Sequence, residues 1–205
     1  MTFRGLLALW CVSLSVIFMW PQVARIIRMR TVEGISLAAT IHGMSGALLW
    51  SIYGIVAAVP SIALANIVTF VAVGFIIGAQ VRYDVVSLPF VVSIQLVIAL
   101  CGIVAAVISE SLIGVVAIAI GGTAIIPQTI RSARTNHQVG LSALTYATIA
   151  VLSTSWAIYG AILGNAIIIA PNFLVVPCAL FISIRAVISH RRYGRTIETV
   201  AVPAR

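Results

Sequence analysis

Apolar residues run along this chain in stretches far longer than a soluble helix needs, and charges fall only between them. The first stretch lies between Arg4 and Arg25. The next extends uncharged from Gly34 to Val81, long enough for two membrane crossings of about 20 residues each. It divides at Val59-Pro60-Ser61, because proline starts a helix readily and interrupts one elsewhere. A fourth span lies between Asp84 and Glu110, and a fifth runs from Ser111 to Ile130. The last run, about Leu141 to Ile184, divides at the turn signal Gly164-Asn165. The pattern predicts an all-α polytopic membrane protein with seven transmembrane helices.

The first span carries Arg4 and an apolar stretch, as a signal peptide does. It lacks a small-x-small cleavage site and continues into Met19-Trp20-Pro21-Gln22, so we read it as a retained helix.

Composition agrees with the pattern. Of 205 residues, 62% are hydrophobic and 8% charged, against about 25% charged in a soluble domain. The formal net charge is +8, every basic residue being arginine. The arginines flank the apolar spans, and no soluble basic domain is present, so they orient the chain in a bilayer and imply no nucleic-acid partner. Arg25, Arg28 and Arg30 follow span 1, Arg82 follows span 3, Arg131 and Arg134 follow span 5, and all the rest except Arg4, which precedes span 1, follow span 7. Loops after spans 2, 4 and 6 have none. The arginine-bearing side is expected to be cytoplasmic, with the N-terminus outside, the C-terminus inside and a disordered tail from Gly194.

Four acidic residues leave little for carboxylate catalysis. Cys11, Cys101 and Cys178 are isolated within apolar runs, with no metal-ligand spacing. No catalytic constellation, metal site or cofactor motif is present, and an enzyme is not expected.

The chain repeats itself at a shift of 106 residues. Pro21, Gln22, Arg25 and Arg28 fall on Pro127, Gln128, Arg131 and Arg134. Gly34 and Ser36 fall on Gly140 and Ser142, Trp50, Tyr53 and Gly54 on Trp156, Tyr159 and Gly160, and Asn66 on Asn172. Twelve of 46 positions across 21–66 are identical, and Trp, Gln, Asn, Tyr, Pro and Arg are scarce enough here to make coincidence a poor explanation. Each copy holds three spans, and the extra span 4 restores the orientation of the second. The organisation is two parallel triple-helix repeats, 1–84 and 110–190, joined by a linker helix at 85–109 (3+1+3) and followed by a cytoplasmic tail, 191–205. Parallel repeats of this kind place a site at their interface.

The pattern P-Q-x2-R-x2-R-x5-G-[IL]-S, then W-x2-Y-G, then N, resembles the PQ-loop superfamily. The segment from Arg30 to Asn66 resembles a bacterial SemiSWEET, and the whole chain, over about residues 5–190, resembles a full-length SWEET sugar transporter. That resemblance implies a sugar substrate, mono- or disaccharide, contacted by Trp50, Asn66, Trp156 and Asn172, and hinges at Pro21 and Pro127. Plant and animal members usually carry further prolines early in spans 2 and 6. Here those helices begin Ser36-Leu37-Ala38-Ala39 and Ser142-Ala143-Leu144-Thr145, so a four-proline gate is not carried over.

The residues support a site independently. Trp50 and Asn66 lie eight positions either side of the expected turn at Ala58, so both sit about 12 Å below it, near the midplane of a bilayer with a half-thickness of about 15 Å. Trp156 and Asn172 repeat this around Gly164. A pyranose presents C–H groups for stacking on an aromatic ring, and its hydroxyls match the Asn amide, which both donates and accepts. The alternative is helix packing, with each Asn bonded to a neighbouring backbone.

Pro21 and Pro127 are expected to end spans 1 and 5, as hinges or as plain terminators. Gln22 and Gln128 either pair across the inner mouth or cap helix carbonyls. Tyr53 and Tyr159 either close an outer gate or lie at the membrane interface. Pro171 and Pro177 are expected to kink span 7 beside Asn172. His42 is the one histidine placed within a span. It either lines the inner vestibule and couples a proton or is held neutral between helices.

The functional expectation is a passive, bidirectional sugar uniporter in the plasma membrane, working by alternating access, since no Asp or Glu lies within a span. The alternatives are a proton-coupled amino-acid carrier of the PQ-loop type, which would need intramembrane carboxylates, and a non-transporting receptor, which would need charges in its cavity. The lipid bilayer is a partner. The sequence leaves the choice of sugar and homo-oligomerisation open.

Overall fold

The computed structural model describes residues 2–200, with side chains for 2–193. Seven helical spans are long and apolar enough to cross a membrane. Span 1 comprises α1 (Phe3–Ile17) and α2 (Trp20–Met29). Span 2 is α3 (Leu37–Val56), span 3 α4 (Pro60–Arg82) and span 4 α5 (Leu88–Ile108). Span 5 comprises α6 (Glu110–Ala117), a π-helical turn (Ile118–Gly122) and α7 (Ile126–Arg134). Span 6 is α8 (Ala143–Leu163), and span 7 comprises α9 (Ala166–Ile169) and α10 (Asn172–Val200).

The sequence states where these helices start and stop. The Gly-x-Ser motif acts twice. Ser36 Oγ accepts from Ala39 N, and Ser142 Oγ from Thr145 N, so each serine caps the helix it precedes. Pro60 opens α4, where its missing N–H costs nothing. Gly164 ends α8 in the left-handed conformation, and Asn165 Oδ1 at once caps α9.

Pro21 and Pro127 do not end their spans, contrary to expectation. Each lies in the first turn of a new helix, α2 or α7, that continues the span beyond it. The break precedes the proline, at Phe18-Met19 and at Thr123-Ala124-Ile125. Proline at a first turn loses no hydrogen bond. Span 7 is broken beside Asn172, between α9 and α10, with Pro177 inside the longer helix. α10 is described as far as Val200. Residues 201–205 of the expected tail lie outside the described residues.

Within each half, consecutive antiparallel spans pack tightly: span 2 on span 3, and span 6 on span 7. Span 1 contacts both span 3 and span 6, while the linker span 4 leans on spans 2 and 5. Gln95 on span 4 donates to Ser45 Oγ on span 2 at 3.0 Å. The apolar core has two main parts. One lies towards the arginine-rich end, around Ile26, Ile35, Leu141 and Ile182. The other lies towards the opposite end, around Leu49, Tyr53, Ile62, Ile113 and Ile168. Large apolar side chains such as Leu96, Val107 and Phe173 remain exposed on the outer surface, as lipid-facing residues do.

Candidate functional site

A cavity of about 290 Å³ lies between the two halves, lined from both by Trp50, Asn66, Trp156 and Asn172. The four residues expected at matching depth thus share one chamber. Trp50 is held edge-on by Tyr53, with ring centroids 5.4 Å apart, and Trp156 by Tyr159 at 5.5 Å.

The asparagines are polarised by their own helices. Asn66 Nδ2 donates to Ile62 O at 2.9 Å, and Asn172 Nδ2 to Ile168 O at 2.7 Å. The backbone bond of the packing reading is present in both copies. The amide nitrogen is bonded to the backbone, and Oδ1 is left to accept from a ligand. Among the described residues, no Asp, Glu, Arg or His lines the cavity. A neutral chamber with acceptor oxygens and indole faces suits a neutral donor such as a hydroxyl, and leaves an ionised group without a counter-charge.

At the end nearer the arginines, two glutamines join the halves. Gln22 Nε2 donates to Gly140 O at 2.9 Å, and Gln22 Oε1 accepts from Ser142 N at 2.8 Å. Gln128 does the same in the other direction, donating to Gly34 O at 3.0 Å and accepting from Ser36 N at 2.7 Å. Gln22 and Gln128 neither pair with each other nor cap their own helices. Each clamps the Gly-x-Ser backbone of the opposite half, because an amide side chain matches a peptide edge in both donor and acceptor. Gly34, with φ +85°, lies against Gln138, and Gly140 lies against Glu33, so the two loops interlock with no room for a Cβ. Arg25 Nε adds a bond to Val139 O at 2.6 Å, and exposed His137 Nδ1 meets Glu33 Oε1 at 2.7 Å.

Away from the arginines, the two tyrosines join the halves. Tyr53 and Tyr159 are 0% and 4% exposed, so neither is an interfacial residue. Asn165 Nδ2 donates to Tyr53 Oη at 3.0 Å, and Tyr159 Oη lies 3.3 Å from Ser61 Oγ. Each tyrosine reaches the start of the third span of the other half. Asn165 and Ser61 were not singled out in the sequence. Asn165 reads there as a turn residue, and only the tertiary fold brings it to Tyr53.

Pro21 and Pro127 adjoin the clamping glutamines at the helix breaks. Gly122 faces Pro171, and Gly46 on span 2 lies backbone to backbone against Gly121 in the π-helical turn of span 5. His42 is half-buried on α3 and is not part of the cavity wall.

Residues 5–85 match the model of the family described as sugar efflux transporters for intercellular exchange. A solved eukaryotic SWEET transporter superposes with a TM-score of 0.62 at 13% identity, covering 95% of this chain and 100% of that one. Residues 5–85 are thus similar to that family, and the whole chain has the SWEET fold. No curated protein matches it in sequence. The seven spans match the SWEET fold.

Proposed function

We propose that this chain is a bidirectional, facilitative sugar transporter that holds its substrate near the bilayer midplane and works by alternating access. The observation that carries the reading is the uncharged chamber walled by Trp50, Asn66, Trp156 and Asn172. Indole faces take the C–H faces of a sugar ring, and each Asn Oδ1 accepts from a hydroxyl. The family matched by residues 5–85 supports sugar as the cargo.

The two closures suggest how access alternates. Each joins the same two bodies, 1–84 and 110–190, so parting one closure while keeping the other would open the chamber to one side only. In this reading the glutamine clamps form the inner gate, the tyrosine contacts form the outer gate, and the helix breaks before Pro21 and Pro127 are the hinges. The linker helix, 85–109, holds the bodies in one chain. The arginine-rich end is the cytoplasmic one, which puts the N-terminus outside, and the membrane is the plasma membrane. No proton need move with the cargo, because no carboxylate lies in the chamber and His42 stands outside it.

The test is counterflow in proteoliposomes. Vesicles loaded with an unlabelled sugar should concentrate the same labelled sugar transiently from outside, at equal pH on both sides. Amino-acid flux that depends on a pH gradient and on His42, with no sugar signal, would overturn the reading.

A further inference from the structure

Spans 3 and 4 are joined by a short loop at the arginine-bearing end, and both lean on span 2. A groove of about 480 Å³ is left between them, with Met44 and Leu48 of span 2 in its lining. Gly74 and Gly78 make the room, since a Cβ at either would meet nothing within 4 Å. They lie one turn apart on one face of α4. The chamber between the halves takes other residues of that helix, Asn66, Val73 and Ile76 among them. Gln95 is the one polar side chain described in the groove lining, and its amide nitrogen is already bonded to Ser45 Oγ. Leu88, Val92 and Leu96 at the groove are exposed, so it opens towards the hydrocarbon of a bilayer.

The length of the groove decides its occupant. It runs from Val81 to Phe70 on span 3 and from Leu88 to Ala99 on span 4, about 16 Å along either helix. Half of a hydrocarbon core is about 15 Å. Just past Ala99 the gap shuts, because a Cβ at Gly102 would strike Leu49 and Ile52 of span 2. A groove one leaflet deep fits an acyl chain entering from one surface. A transmembrane helix of a second copy would need about 30 Å.

The mouth carries a complementary charge. Arg82 follows Val81 in the last turn of α4 and is exposed. It has no ion-pair partner among the described residues, and Asp84, two positions on, does not pair with it. The N-terminus of α5 lies at the same end without a side-chain cap, adding positive partial charge.

We propose that the groove between spans 2, 3 and 4 binds one phospholipid of the leaflet at the arginine-bearing end, an acyl chain lying along Gly74 and Gly78 and an anionic headgroup meeting Arg82. The site is separate from the chamber and holds whatever the chamber carries.

The experiment weighs the purified full chain intact by mass spectrometry, with dioleoyl phosphatidylglycerol added back after delipidation. One lipid should remain per chain. The double variant Gly74→Leu/Gly78→Leu fills the groove and should abolish retention, while melting no lower than lipid-free wild type. Arg82→Gln should weaken binding about fivefold, the attraction of one arginine to an anionic headgroup. Arg134→Gln, exposed at the same end, should leave it unchanged. Dioleoylglycerol, with the same chains and no phosphate, should bind wild type about as weakly as the phospholipid binds Arg82→Gln. Retention unchanged in the filled variant would overturn the groove. Equal losses in Arg82→Gln and Arg134→Gln would overturn the headgroup contact, as general charge attraction, and this comparison decides even if the filled variant does not fold. Inorganic phosphate that displaces the lipid, or a lipid-free wild-type dimer that the filled variant breaks, would overturn the phospholipid as occupant.

Discussion

Asn165 Nδ2 donates to Tyr53 Oη at 3.0 Å, joining the start of span 7 to the middle of the other half. The same asparagine caps α9 through Oδ1, which accepts from Ile167 N and Ile168 N. One side chain thus ends a local turn and joins the two halves at the end away from the arginines.

That latch is testable by two conservative changes. Tyr53→Phe keeps the ring and loses the oxygen, removing about 0.5–1.5 kcal/mol from the closed state. Asn165→Asp keeps the cap and can accept from the tyrosine hydroxyl. With Cys11, Cys101 and Cys178 replaced, a cysteine at Ser153 in the cavity wall should react faster with an impermeant thiol reagent from that side in Tyr53→Phe, and at the ordinary rate in Asn165→Asp.

At the other end, the glutamines are expected to matter more than the one visible ion pair. Gln128→Ala leaves Ser36 N and Gly34 O without their partner, at about 1–3 kcal/mol. Glu33→Ala breaks an exposed pair with His137, worth about 1 kcal/mol or less. Thermal unfolding should show a clear drop for Gln128→Ala and for Gln22→Ala, with little change for Glu33→Ala. Equal losses in all three would contradict the clamp.

Close backbone approach fixes how the halves meet. A methyl group at Gly46 or Gly121 strikes the facing glycine backbone, and at Gly121 also the Trp50 indole, whereas Gly74 and Gly78 face open space. Gly46→Ala and Gly121→Ala should destabilise by about 1–3 kcal/mol, the usual cost of overpacking. Gly74→Ala and Gly78→Ala should be neutral or stabilising by up to about 1 kcal/mol, from helix propensity. Melting temperatures in detergent separate the two pairs.

Much of this arrangement was legible in the sequence, for reasons that differ by residue. The spans could be read because lipid demands long apolar helices. The Trp and Asn tier could be read because two residues equidistant from one hairpin turn share a depth, and the 106-residue shift supplied the second pair. The Pro21 and Pro127 breaks were misplaced because a proline within an apolar run reads as a stop, although at a first turn it costs no hydrogen bond. The glutamine clamps and the Asn165–Tyr53 latch could not be read, since they join segments over ninety residues apart and leave no local pattern.

In the proposed transport cycle, one sugar is held between Asn66 and Asn172. The measurement that tests it most directly is sugar counterflow with Asn66→Ala, Asn172→Ala and the double variant, each reconstituted at equal protein and checked for folding by its melting temperature. Each single change should lower the initial rate about tenfold or more, and the double change should abolish the overshoot. A double variant that still concentrates labelled sugar at the wild-type rate would contradict the account.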